Sequence, residues 1–263
     1  MNNEKWTFWH TIAMVILVIS LVVVGLFVTP VNRFASWIVV LLLISLSIIA
    51  IGHGVTGRLF GFIIDGRNKM SLSRLQLTLW TIVVLSSIFT IAFSNVINNN
   101  PSPLLITIPP ELWILIGIST TSFVGSSLIL NGKKETRGDP SEKQTTLSRL
   151  GNQGYSTGKI ISKGVILSYK TPAYARVSDL FKGDETGNGA ILDLSKIQMF
   201  FFTIIIVLIY AFAISTLLLA KTTMIVTMPP FDEGFLFLIG ISHSGYLTYK
   251  AVPHTSSQNS PTK

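Results

Sequence analysis

Long apolar runs alternate with short polar segments along most of this chain. A helix of about 20 apolar residues crosses the ~30 Å hydrocarbon core of a bilayer. The pattern predicts six such helices, at residues 10–28, 35–51, 75–93, 112–130, 197–219 and 231–249. The fold class expected is therefore an all-α membrane protein with six transmembrane helices.

Part of the chain is duplicated. Residues 72–81 return as residues 194–203, and each copy is followed by a Pro-Pro pair and then by the sequence Ile-Gly-Ile-Ser. Each copy is expected to cross the membrane twice, so both copies have the same orientation and should be related by an axis along the membrane normal. We therefore expect two parallel tandem repeats of a helix pair, preceded by an N-terminal hairpin.

The repeats divide the chain into five parts. The predicted parts are the hairpin (1–56), the first repeat with an interfacial segment (57–131), a cytoplasmic hydrophilic segment (132–176), the second repeat with its interfacial segment (177–250) and a cytoplasmic tail (251–263). Within the hydrophilic segment, the Gly-, Ser- and charge-rich residues 133–158 are expected to be mobile. The alternating apolar positions at 160–169 are typical of a hairpin or an edge strand.

The charges give an orientation. Only 12% of the residues are charged, about half the proportion in soluble domains, and the lysines and arginines flank the apolar runs. Lys and Arg accumulate in cytoplasmic loops. Both termini are therefore predicted to be cytoplasmic, with Arg33 and Lys221 as the only cations outside. The net charge of +8 forms no single aromatic-rich basic patch, which argues against nucleic acid as a partner.

The predicted fourth and sixth helices carry small and hydroxyl residues at a spacing of four. Such stripes are common contact surfaces between helices in lipid. The functional alternative is a conduit lined by hydroxyl groups. The candidate helix-packing or pore-lining residues are Gly117, Ser119, Thr121, Gly125, Gly240, Ser242, His243, Ser244 and Thr248.

His243 is the titratable side chain placed well inside a predicted span. Ionisable residues at such positions are candidates for function, and an imidazole can relay protons. The structural alternative is a neutral histidine hydrogen-bonded between helices. Gln76 and Gln198 are expected to form similar interhelical bonds, and Arg74 and Lys196 to reach the interface as anchors.

No pattern of catalysis or of cofactor binding is present in the sequence. The chain has no cysteine, and the sequence contains no phosphate-binding glycine loop or metalloprotease motif. Residues 184–189 resemble the first half of a calcium-binding loop, but position twelve is Ser195 instead of the required glutamate. We expect no enzymatic activity, no cofactor and no metal.

The runs at residues 65–76 and 192–203 resemble a group of uncharacterised multi-spanning bacterial membrane proteins with a duplicated two-helix unit. The resemblance covers residues 57–250. It implies a location in the bacterial plasma (inner) membrane and brings no activity with it.

Two functional hypotheses follow. The first is a non-enzymatic membrane scaffold or anchor whose hydrophilic segment engages a cytoplasmic protein partner. The alternative is an oligomeric channel for ions or small solutes, lined by the Gly/Ser/Thr-rich fourth and sixth helices. The lipid bilayer is a partner in both, and the second requires a homo-oligomer.

Overall fold

The computed structural model describes residues 5–220 and 224–256, and 67% of the chain is helical. Five helices are long and apolar enough to cross a membrane. They place the chain among α-helical multi-pass membrane proteins, in contact with the lipid bilayer. The predicted outer cation Lys221 lies outside the described residues.

The described residues form seven α-helices, six of which start and end within a few residues of the predicted limits. They are α1 (Phe8–Val23, continued by a π-helical turn to Val28), α2 (Arg33–Thr56), α3 (Leu72–Ile97), α4 (Pro110–Gly132), α5 (Pro140–Asn152), α6 (Leu194–Leu219) and α7 (Glu233–Ala251). The candidate spans are α1 with its π turn, α2, α3, α4 and α6. Helix α7 contains several polar residues, which lower its hydropathy, and it is not among them.

Local signals explain several of these limits. Asn32 caps α2 by accepting a hydrogen bond from the backbone N–H of Ala35, and α2 ends at Gly57, whose positive φ of 71° suits glycine. Helix α4 starts at Pro110, where the missing N–H costs nothing. Asp232 caps α7.

Four helices form the body of the molecule. Helices α3, α4, α7 and α6 pack in that order around a closed ring, and α2 lies against α3 and α6 on the outside. Large side chains are buried in the interior of this bundle. The fully buried ones include Trp80, Leu112, Leu115, Met199, Tyr210, Ile214 and Tyr246.

The two halves of the bundle have matching elements. Helices α3 and α6 have 26 residues each and begin at equivalent positions of the duplicated sequence. A short 3₁₀ turn precedes each of them, at Gly61–Ile63 and at Val177–Phe181. The equivalent residues Thr107 and Thr227, just before the Pro-Pro pairs, form a parallel β-bridge.

Residues 133–193, which we call the cap, form a folded unit at one end of the bundle. The expectation that residues 133–158 are mobile is wrong, because α5 forms there. Its buried Leu150 packs with Tyr155, Leu167 and Tyr169. The hairpin expected at 160–169 is present, with β1 (Ile160–Lys163) paired antiparallel to β2 (Ile166–Tyr169).

Candidate functional site

A seam of buried polar side chains runs between α4 and α7. At the end of the seam farther from the cap, which we call its upper end, the Nδ1 of His243 lies 2.6 Å from the hydroxyl of Ser122. The Nε2 of the same ring forms a short hydrogen bond with the amide of Gln76 on α3. His243 therefore joins three of the four helices of the bundle.

Both ring nitrogens of His243 therefore have a polar partner, the amide of Gln76 at Nε2 and the hydroxyl of Ser122 at Nδ1. The Oε1 of Gln76 and the hydroxyls of Ser242 and Thr203 are buried and have no partner among the described residues. The upper seam thus contains hydrogen-bonding capacity that the described residues leave unused.

The lower end of the seam approaches the cap. The hydroxyl of Ser126 on α4 lies 3.1 Å from that of Tyr246 on α7. It also accepts a hydrogen bond of 2.9 Å from the ammonium group of Lys250. Lys250 then links the seam to a cluster of buried charges.

Asp184 is the centre of that cluster. Its carboxylate accepts from Arg67 at 2.7 Å and from Lys196 at 3.1 Å. Its other oxygen lies 2.9 Å from Lys250. The three cations come from the loop before α3, from α6 and from α7, so one carboxylate joins the cap to both repeats.

A second acidic residue of the cap makes a similar connection. Glu185 pairs at 2.5 Å with Lys133, which follows α4. The same ammonium group donates to the backbone carbonyls of Lys250 and Val252 at 2.6 and 2.7 Å. The cap is therefore also fixed to the ends of α4 and α7.

Burial and charge shift the titration of the cluster. Burial by itself would raise the pKa of Asp184, but Arg67, Lys196 and Lys250 around it hold this pKa well below its usual range. Burial lowers the pKa of Lys69 to about 8, against the attraction of Asp179 and Asp184. At neutral pH the centre of the cluster is ionised.

The same contacts account for the loop that resembles a calcium site. The acidic groups of Asp184 and Glu185, which would have to bind the ion, are engaged by four cationic side chains. Among residues 5–220 and 224–256, no group of three or more acidic, His or Cys side chains is arranged to hold a metal ion. The arrangement is a buried ion-pair cluster in which the cations outnumber these two carboxylates.

The structure separates the candidate residues of the two stripes. Three of them, Ser119, Ser242 and His243, are buried in the bundle. Gly125 is partly exposed and faces α7, because a Cβ there would lie 3.4 Å from Leu247. The remaining candidates lie on the outside of the bundle, fully or partly exposed: Gly117, Thr121, Gly240, Ser244 and Thr248. A Cβ at Gly117 or Gly240 would meet no atom within 4 Å. The expected close approach of the two repeats at these two glycines is therefore wrong.

Two further expectations need correction. Gln198 is exposed on α6 and forms no hydrogen bond with a described side chain, unlike its counterpart Gln76. Lys196 does not extend to a headgroup, because it is buried beside Asp184.

The charge cluster is not apparent from the sequence because its members are far apart in the chain. Asp184 lies 117 residues from Arg67, and nothing local marks the pair. One signal was present: Lys196 and Lys250 lie at the ends of α6 and α7, and a cation buried at such a position needs a nearby carboxylate.

Comparison of the chain with protein-family models, with curated proteins and with solved structures gave no match.

Proposed function

We propose that the protein crosses the bacterial plasma membrane six times, as two parallel helix-pair repeats preceded by a hairpin, with both termini in the cytoplasm. Helix α7 has 19 residues, so at 1.5 Å per residue it is about 28 Å long, close to the thickness of the hydrocarbon core. It packs between α4 and α6, where its polar residues are partly sheltered. The lysines and arginines of the cap favour a cytoplasmic location for the cap.

On this topology the protein is a non-enzymatic membrane scaffold that presents its cap to a soluble cytoplasmic partner. The observation that carries this proposal is the fixation of the cap by Asp184, which pairs with cations from the loop before α3, from α6 and from α7. A cap held in this way presents a constant surface in a constant orientation. Preorganisation of this kind lowers the entropic cost of binding.

The exposed surface of the cap indicates the charge of the partner. Four of its acids, at positions 179, 184, 185 and 193, are buried, and Glu135 is the fully exposed one in this segment. The fully exposed cations of the cap are Arg137, Arg149, Lys159, Lys163, Lys170 and Arg176. An acidic surface on the partner would complement this cap and speed association.

Site-directed photo-crosslinking in cells tests the scaffold. A photo-reactive residue at the exposed position Gln144 on α5 or Lys163 on β1 should give a discrete cross-linked adduct with one cytoplasmic protein. The same residue at Leu104, exposed at the opposite end of the bundle, serves as the control. If the cap positions give no adduct absent from the Leu104 control, the scaffold proposal fails.

The channel is a second candidate, favoured by the unpartnered polar atoms of the bundle interior. Gln76, Thr203 and Ser242 each have one such atom, and water or ions would satisfy them. Purified protein in sealed liposomes should then pass ions, and His243→Ala should change the flux. The exposed Thr81→Ala on α3, which is not among the candidate pore-lining residues, is the control. Liposomes that stay sealed around folded protein would exclude the channel.

A further inference from the structure

Two cations of the cap lie over the same aromatic ring. The guanidinium carbon of Arg176 is 4.1 Å from the ring centroid of Tyr155, and the ammonium nitrogen of Lys182 is 4.2 Å from it. The Tyr155 ring is buried, and its hydroxyl bonds to Ser178 at 2.6 Å. The ring thus holds both cationic groups close to one side chain of the cap.

Neither cation is neutralised by the protein. Arg176 donates to the carbonyl of Gly154 at 2.8 Å, and Lys182 donates to the side-chain oxygen of Gln153 at 2.5 Å. Among the described residues neither forms an ion pair with a carboxylate. Two like charges beside one ring repel each other, so an anion that contacts both would be favourable.

The carboxylate of Asp179, three residues after Arg176, is already hydrogen-bonded to other groups. Asp179 is buried and accepts from the hydroxyl of Tyr169 at 2.8 Å and from the backbone N–H of Arg176 at 2.9 Å. Its oxygens therefore stabilise the turn before α6 rather than the side chain of Arg176.

Exposed apolar side chains lie next to the two cations. Val177, which follows Arg176, is 57% exposed. Leu192, which forms a β-bridge with Lys182, is 62% exposed, and Leu194 at the start of α6 is 75% exposed. Because α6 is a candidate span that begins at Leu194, Leu192 and Leu194 lie where a helix enters the membrane. Apolar groups there contact acyl chains, and cations beside them contact headgroups.

The first repeat combines the same types of residue. Its exposed Arg58 is followed by Leu59 and Phe60, which are also exposed. Each repeat thus has a basic residue and apolar side chains at its interfacial turn. The pair of cations on one tyrosine belongs to the second repeat.

We infer that Arg176 and Lys182, held on Tyr155, bind the phosphate of an anionic phospholipid in the cytoplasmic leaflet. Val177, Leu192 and Leu194 contact its acyl chains. Guanidinium and ammonium groups are common ligands for phosphate. A soluble phosphate would use the two cations but gain nothing from the three apolar side chains, so the whole set of residues favours a lipid.

Lipid titration of the full-length protein in a zwitterionic detergent tests this assignment. Phosphatidylglycerol should raise the melting temperature, and the same amount of phosphatidylcholine should not. In the double variant Arg176→Gln/Lys182→Gln, the phosphatidylglycerol concentration that gives half-maximal stabilisation should rise roughly 30-fold, because the factors lost with the two charges multiply. Arg137→Gln/Lys163→Gln removes the same charge elsewhere on the cap and should shift that concentration less than threefold.

Each other outcome contradicts the lipid site. An equal loss of phosphatidylglycerol binding in both double variants would show that the lipid responds only to the net charge of the cap. Equal stabilisation by inorganic phosphate at the same concentration would make the ligand a free anion, and equal effects of the two lipids on the wild type would exclude a headgroup site. If Arg176→Gln/Lys182→Gln does not fold, two other variants test the site. The single variant Lys182→Gln should weaken phosphatidylglycerol binding several-fold. The charge-preserving variant Arg176→Lys/Lys182→Arg should retain it.

Discussion

At the scale of single residues, one carboxylate determines how the cap is joined to the bundle. Asp184 is buried with three cations that come from separate parts of the chain. A buried pair gains little over apolar residues of the same shape, but the loss of one partner leaves a charge without compensation. Removing Asp184 should therefore lower the free energy of unfolding by more than the net stabilisation that its ion pairs provide.

Replacing this carboxylate should strongly destabilise the protein. Asp184→Asn leaves Arg67, Lys196 and Lys250 buried without their common anion and should cost about 3–5 kcal/mol. Thermal unfolding of the purified full-length protein measures the change. Glu135→Gln, an exposed acid on the same cap, is the control and should change stability by less than about 0.5 kcal/mol. Equal melting temperatures for the two variants would contradict the role given to Asp184.

The hydrogen bond between Gln76 and His243 can also be tested at the level of single side chains. A double-mutant cycle of Gln76→Leu and His243→Leu should give a coupling energy of about 0.6–1.7 kcal/mol, the range for hydrogen bonds between membrane helices. Gln198→Leu is the matched control, because Gln198 occupies the equivalent position of the second repeat but is exposed. Its combination with His243→Leu should be additive. Coupling of the same size in both cycles would show that the Gln76 contact is not specific.

At the scale of the elements, similar sequences form different faces. The buried positions of α3 include Gln76, Trp80 and Val84, whereas the buried positions of α6 include Met199, Thr203 and Val207. Most buried positions on α6 are displaced by one residue from their equivalents on α3, which is a rotation of about 100° for a helix of 3.6 residues per turn. Helix α3 packs much more extensively against α2 than α6 does, so the two helices have different environments although the sequence is repeated.

The cap should behave as a folded element and not as a linker. Amide hydrogen exchange should show protection throughout α5, whose Leu150 packs with Tyr155 and Tyr169. Leu150→Ala removes a buried side chain at a cost of about 2–5 kcal/mol, so exchange should increase in α5 and the hairpin before it increases in the bundle. Ser148→Ala, on the exposed side of the same helix, should leave exchange unchanged. Rapid exchange of α5 in the wild type would contradict a folded cap.

At the scale of the whole molecule, the topology is open to direct measurement. The chain has no cysteine, so single cysteines report their side of the membrane without background. Ser102→Cys and Asp232→Cys should react with a membrane-impermeant maleimide in intact cells, and Lys163→Cys only after permeabilisation. All three positions are exposed. Labelling of Asp232→Cys on the same side as Lys163→Cys would eliminate α7 as a sixth span.

The sequence by itself determined the apolar helices and the position of the cap. Runs of apolar residues and local caps are properties of neighbouring residues, and they fix helices such as α2 and α6 to within a few residues of their predicted limits. The tertiary structure alone decided which side chains turn inward. The duplicated sequence gives Gln76 and Gln198 the same local surroundings, yet only Gln76 reaches His243. Likewise, the ion pair of Asp184 with Arg67 joins residues 117 positions apart, because the free energy of a buried charge depends on what the folded chain brings next to it.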